Sequence, residues 1–221
     1  MNAPDPVRHL VEGWRASDHP TQASIPWPRR RWVDCFPAHA GLFEGLPERL
    51  DRTTVRSACA AASTSSEHAV DAFLVAMAWG YGRVGYGCWR TRRVLDQPGA
   101  GNKLADAAGR LFDQGAAAAY EGLSTTGRLH GLGPAFGTKF LYFCPPPADK
   151  PQALILDRVV SGWIRDSLGI LLDPVPWSGR TYLRYLDLLG GWADDLKVSP
   201  DTIEEQIFVS SASGQWAKGS A

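Results

Sequence analysis

The chain has 221 residues, 44% of them hydrophobic with nine Trp and eight Phe, enough apolar material for one sizeable core or two small ones. Lys+Arg and Asp+Glu both number 23, so no global field draws the protein onto a polyanion, and any nucleic-acid contact must come from local basic clusters and backbone donors. The four cysteines (Cys35, Cys59, Cys88 and Cys144) form no C-x-x-C pair and have no histidine at ligand spacing, which argues against zinc and iron–sulfur sites. The lack of a signal-peptide pattern or an apolar run near ~20 residues predicts a soluble, cytoplasmic protein.

Residues 1–50 are rich in proline and tryptophan and show one short helical pattern, from Val7 to Ala16. They read as an arm packed on a helical body of residues 51–221. In Ile25-Pro26-Trp27-Pro28-Arg29-Arg30-Arg31-Trp32, three arginines lie between tryptophans. Such a run either touches a nucleic-acid backbone or is a solvated loop whose tryptophans pack inward, the commoner arrangement.

From Arg52 the helical signals become regular. Thr53 or Thr54 is placed to cap a helix through Ala62, and Ser66 to cap the next, whose Ala69, Val70, Phe73, Leu74, Met77 and Ala78 form an apolar stripe ending at Gly80. The following stretch, Trp79 to Arg93, mixes four glycines with aromatics and arginines and reads as a functional loop. Trp79, Tyr81, Tyr86 and Trp89 offer stacking faces, and Arg83, Arg90, Arg92 and Arg93 offer donors to phosphate. The alternative makes the aromatics core residues around a glycine-rich turn.

Asn102–Gln114 is amphipathic, with Leu104, Ala107, Ala108, Leu111 and Phe112 inward, and Ala116–Leu123 continues the helical material. Ser124 or Thr125 is placed to cap a short helix that enters His130-Gly131-Leu132-Gly133-Pro134-Ala135-Phe136-Gly137-Thr138-Lys139-Phe140-Leu141-Tyr142-Phe143. Glycines at a helix start let backbone N–H groups approach an oxyanion, because no Cβ blocks the way and the helix end is electropositive. After Pro145-Pro146-Pro147, the apolar run Leu154-Ile155-Leu156 leads to Asp157 and a helix with Val159, Val160, Trp163, Ile164 and Leu168. Gly179–Trp192 carries Tyr182, Leu183, Tyr185, Leu186 and Leu189 on one face, and Ser199 caps a last helix with Glu204 near its start. There is no convincing strand and no repeat, so the chain is expected to be all-α.

Lys139 is the one charge in its apolar run, and Asp157 stands eighteen residues beyond it. Burial among Phe136, Phe140 and Phe143 would favour the neutral amine, which can attack an electrophilic carbon and form a Schiff base. Asp157, at a helix start, is held rigidly where it can stabilise a sugar oxocarbenium ion. Taken singly, the blander roles are a snorkelling lysine and a plain helix cap.

These residues resemble the helix-hairpin-helix DNA glycosylases, and among them the 8-oxoguanine DNA glycosylases. Pro134-Ala135-Phe136-Gly137-Thr138-Lys139 is similar to the family's Pro-Gly-Val-Gly-Thr-Lys segment, Lys150-Pro151-Gln152-Ala153 to its Lys-Pro-Gln-Ala, and Asp157 falls at its aspartate. The Trp-Gly-Tyr-Gly and Gly-Leu-Gly-Pro-Ala-Phe segments are similar to those of shorter bacterial proteins of that fold. The tip is either Gly131-Leu132-Gly133 or a pair anchored on Gly137, where Ala135 replaces the first glycine.

The resemblance implies a helix-hairpin-helix fold and a glycosylase that flips out a damaged base, with Lys139 as nucleophile and Asp157 as its carboxylate partner. It implies duplex DNA gripped at the hairpin, by Gly131, Gly133, Gly137 and Thr138; the residue types themselves add Arg90, Arg92 and Arg93 to the expected DNA contacts and suggest a base pocket drawn from Trp79, Tyr81, Tyr86, Trp89 and Phe143. Neither metal nor cofactor is expected, beyond a structural monovalent cation at the hairpin. The expected partner is double-stranded DNA bound by a monomer, with no membrane, and the protein would join the nucleoid when bound. The default substrate is 8-oxoguanine. Alternatives are a bulky base such as glucosylated hydroxymethylcytosine in phage DNA, removed in defence, or a non-catalytic DNA-binding module.

Overall fold

The computed structural model describes residues 1–18, 21–146, 152–175 and 177–218, with side chains as far as residue 211. Pro147, Lys150 and Pro151, from the proline break and the Lys-Pro-Gln-Ala segment, lie outside the described residues. The fold is all-α. In chain order the helices are α1 (Asp5–Ala16), α2 (Arg29–Cys35), α3 (Ala40–Glu44), α4 (Arg52–Ala58), α5 (Ser66–Tyr81), α6 (Gly87–Leu95), α7 (Ala100–Gln114), α8 (Ala116–Ser124), α9 (Pro134–Phe143), α10 (Arg158–Leu168), α11 (Gly179–Leu196) and α12 (Pro200–Lys218). A two-residue antiparallel bridge joins β1 (Ile25–Pro26) to β2 (Arg49–Leu50).

Contacts divide the chain into two units, one of Met1–Gln22 with Leu154–Ala221 and one of Ala23–Ala153. The first fifty residues are thus shared between the two units. In the first unit, α1 packs on α11 and α12 and buries Val7 and Val11. The Ala3 N–H and Arg8 both donate to Asp195 Oδ2, at 3.0 and 2.8 Å, and Arg15 donates to the Leu196 carbonyl at 2.5 Å. The Ala3 N–H first, and then Arg8, hold the Asp195 carboxyl below its usual range.

In the second unit, α5 is buried from Ala72 to Trp79 on all sides, as a helix apolar all round must be, and it packs against α4, α6, α7 and α9. Trp27, Trp32, Phe36 and Phe43 form one aromatic cluster with centroid separations of 5.9 to 6.3 Å, so the tryptophans beside the three arginines pack inward. Arg29 and Arg31 bond to the Leu46 and Gly85 carbonyls.

The 79–93 stretch is not one loop. α5 runs on to Tyr81 and α6 starts at Gly87, which leaves 82–86 as the turn between them. Gly82 ends α5 at φ +51, where a Cβ would lie 2.8 Å from Ile25 Cγ2, and a Cβ on Gly87 would lie 2.6 Å from Tyr81 Cβ. These glycines serve helix ending and close packing instead of an irregular path.

The caps also shift. Asp51 caps α4, which stops at Ala58, and Ser65 caps α5. α8 ends at Ser124 with no helix between it and the hairpin. Ser199 caps α12, its Oγ accepting the Thr202 N–H at 3.1 Å. Phe112 and Leu183, expected inward, are about half exposed at the margins of their stripes.

Asp51 accepts the Thr54 N–H at 2.7 Å, and this bond holds its carboxyl below the ordinary 3.8. Asp51→Ala should lower stability by about 1 kcal/mol in urea denaturation at pH 7. Because the folded value is depressed, the contribution is complete above 3.8 and is lost as pH falls through the lower folded value. The two proteins should therefore converge in stability in acid.

Candidate functional site

α8 and α9 are joined by a hairpin whose tip is Gly131-Leu132-Gly133, with Gly131 exposed and Leu132 buried. Gly131 has φ +84, a left-handed conformation that favours glycine, and the Leu132 N–H closes the turn on the Leu129 carbonyl at 3.1 Å. Gly133 is the N-cap of α9 and Pro134 its first residue, a position where the missing N–H costs nothing. The Phe136 and Gly137 N–H groups return to the Gly133 carbonyl at 3.1 and 2.9 Å.

The tip is therefore the earlier glycine pair. Gly137 and Thr138 are buried inside α9, and Thr138 Oγ1 donates to the Ala135 carbonyl at 3.2 Å. Both therefore lie away from the Gly131-Leu132-Gly133 tip, within the packed part of α9. Helical winding carries residues 137 and 138 round to the protein side.

One side chain locks this hairpin to α6. Gln97, two residues past the end of α6, accepts the His130 N–H at 2.7 Å and donates to the His130 carbonyl at 2.8 Å. Its nitrogen also lies 3.1 and 3.2 Å from the Arg93 and Val94 carbonyls, which a helix end leaves without internal partners. Arg90, Arg93, Gln97, His130 and Gly131 line an open cleft of about 520 Å³. The structure thus gathers Arg90, Arg93 and Gly131. Arg92 is exposed, 3.9 Å from Asp96, and is not part of that lining. Sequence reasoning missed Gln97 and His130; the available signal was a glutamine just past a helix end.

The proposed base-pocket aromatics separate into two groups. Trp79 and Phe143 are core, packed edge to face at 5.0 Å with the Arg52 guanidinium 5.7 Å from the Trp79 ring. Tyr81 is half-buried and stacks on Phe136 at 4.2 Å, its hydroxyl pushed above the usual range by burial. Tyr86 and Trp89 are each 55% exposed and carry the Arg90 and Arg93 guanidinium groups at 4.9 and 5.0 Å. These four form an aromatic and cationic ridge beside the cleft.

Lys139 is buried in α9 with its Nζ 5.7 Å from the Phe136 centroid. Where α9 crosses α5 it meets Gly80. A Cβ there would lie 3.0 Å from Lys139 Cδ and 3.1 Å from Phe136 Cε1, so the absent side chain makes room for the lysine stem. Gly80, expected to end a helix, is a packing residue one position before its end.

Asp157 belongs to the other unit, where it caps α10 as expected: Oδ1 accepts the Val159 and Val160 N–H groups at 3.0 and 3.1 Å. The Leu154–Leu156 segment that leads to it is buried without being a strand. Two hydroxyls of α11 satisfy its backbone. Tyr182 accepts the Leu154 N–H at 3.0 Å and donates to the Leu154 carbonyl at 2.7 Å, while Tyr185 donates to the Ile155 carbonyl at 2.8 Å. The sequence pattern marked these tyrosines only as an apolar face.

Among the described residues no cluster of His, Cys, Asp and Glu could hold a metal ion, and no helix is long and apolar enough to cross a membrane. The family described as "Putative 8-oxoguanine DNA glycosylase OGG-like protein" matches residues 18–208, and the chain belongs to that family. No curated protein and no solved structure matches it.

Gln97→Ala removes both bonds to His130. It should lower stability by about 1–3 kcal/mol and speed hydrogen exchange at residues 129–133, while exchange in α12 stays unchanged.

Proposed function

We propose that this member of the OGG-like glycosylase family excises a damaged base from duplex DNA, 8-oxoguanine by default, with Lys139 as Schiff-base nucleophile and Asp157 as the carboxylate that steadies the sugar. The observation that carries this reading is the lodging of Lys139, a buried lysine whose stem lies against bare glycine backbone, in the helix that begins at a Gly-x-Gly tip. A non-catalytic binder has no need of a buried lysine there.

The tip and the α6 ridge supply the grip. The Gly133 and Ala135 N–H groups lie at the electropositive start of α9, where a phosphate oxygen is a natural acceptor. Arg90 and Arg93 add charge-assisted donors, and Tyr86 and Trp89 add stacking faces for an opened duplex. The target nucleotide is flipped from the stack so that its C1′ can meet the amine. The nitrogen of Lys139 attacks C1′ as the C1′–N bond to the base breaks, and the base leaves with a proton taken from the amine. Asp157 stabilises the positive charge that develops on the sugar. Ring opening then gives the imine, which water hydrolyses to an abasic site and the free amine; β-elimination from the same imine would instead cut the strand.

An 8-oxoguanine duplex tests this. Lys139→Ala and Asp157→Asn should each cut base release at least 100-fold while changing DNA retention less than about threefold, and borohydride should link the wild type, but not Lys139→Ala, to DNA. Normal excision by both variants would refute the assignment. Gly80→Ala crowds the lysine stem and should slow base release with DNA binding intact. Arg93→Ala should weaken retention on any sequence and reduce the slope of log K against log salt by about one phosphate's worth.

A further inference from the structure

Two of the four cysteines meet. Cys35 closes α2 and Cys88 is the second residue of α6, and their Sγ atoms lie 2.6 Å apart where these helices pack. That is about half an ångström beyond the ~2.05 Å of a disulfide bond. Cys35 is partly exposed, whereas Cys88 is 5%, Cys59 0% and Cys144 1% exposed, so a small oxidant reaches the pair from one side.

We propose that Cys35 and Cys88 are a modification site: a dithiol that a hydroperoxide converts reversibly to a disulfide, stapling the start of α6 to the end of α2. The Cys35 thiolate attacks a peroxide oxygen, the O–O bond breaks, and the departing hydroxide takes up a proton and leaves as water. The Cys88 thiolate then attacks the sulfenic sulfur; the S–O bond breaks, the S–S bond forms, and a second water leaves. Two thiols and one H₂O₂ thus give one disulfide and two waters, the sulfurs being oxidised and the peroxide reduced.

The site matters because of what α6 carries. Arg90, Arg93, Tyr86 and Trp89 sit on it or at its edge, and Gln97 ties its far end to the hairpin. The disulfide adds a covalent anchor at the near end, where Arg31 also reaches the Gly85 carbonyl at 3.4 Å. Burial first, and then the hydrogen bond and charge of Cys88, push the Cys35 thiol up to about 12, with Arg92 opposing. Only a small fraction is thiolate at neutral pH, so closure is slow there and accelerates about tenfold per pH unit between pH 7 and 9.

The full chain would be treated with hydrogen peroxide, its remaining thiols trapped with maleimide, and the peptides read by mass spectrometry without reduction. The expected result is loss of two thiols, one cross-link between the peptides holding Cys35 and Cys88, and a Tm raised by several degrees and restored by dithiothreitol. Cys88→Ser should leave Cys35 trappable by dimedone as the sulfenic acid and give no cross-link. The cross-linked protein should keep its DNA affinity within about twofold, since the staple holds α6 where it already lies. Four maleimide-labelled thiols after oxidation, a cross-link through Cys59 or Cys144, or a tenfold loss of DNA affinity on closure would each overturn the proposal.

Discussion

The second unit depends on the burial of α5. A helix with apolar residues on every face has no water-facing side, so it must be wrapped by neighbours, and α4, α6, α7 and α9 wrap it. How closely each neighbour approaches is then decided by the residue at the crossing. At the α9 crossing that residue is Gly80, and the neighbour's side chains there are Lys139 and Phe136. A buried lysine is expensive unless its stem is packed and its head is served. The glycine provides the packing, and Phe136, stacked on Tyr81, provides a flat wall. The placement of the amine is a consequence of helix packing as much as of the hairpin motif.

A second constraint follows from zero net charge. With no global attraction, contact with a polyanion has to be concentrated, and the cleft that gathers Arg90, Arg93 and Gly131 is where the proposed contact would be concentrated. Gln97 is what makes these two elements one surface. Its amide satisfies the His130 backbone in both directions and reaches carbonyls at the end of α6, so a single uncharged side chain fixes the spacing between arginines and glycine tip. Hairpin flexibility would otherwise be paid for in ordering entropy on every binding event.

Much of this was legible in the sequence, and the gaps have physical causes. The all-α class, the caps Asp157 and Ser199, and the buried stripe of α7 follow from periodicity and short polar side chains, whereas only Val160 and Ile164 of the stripe expected on α10 are buried. The hairpin was legible as a motif, but not which glycines form its tip; that is decided by the positive φ of Gly131. The 79–93 stretch was misread because glycine signals both turns and close packing. Gly82 ends a helix, whereas Gly80 and Gly87 lie within helices where a Cβ would collide with a neighbour that sequence does not identify. Trp79 and Phe143 look the same in sequence as Tyr86 and Trp89, and only tertiary burial separates core from surface. Gln97, Tyr182 and Tyr185 act through bonds spanning 28 to 33 residues, beyond any local pattern.

Asp157 shows why a bland role and a chemical one need not compete. As an N-cap it satisfies two N–H groups at the start of α10, which alone would account for the residue. Both of these bonds go to the same oxygen, Oδ1, so the cap holds that end of the carboxylate against the start of α10. The segment before it is fixed as well, because the hydroxyls of Tyr182 and Tyr185 satisfy buried backbone groups that no strand pairs. A carboxylate that must stabilise a brief positive charge gains most from not having to reorient as the charge appears. The helix start and the two tyrosines supply that rigidity in advance, so the capping geometry is itself the preorganisation that the proposed chemistry requires.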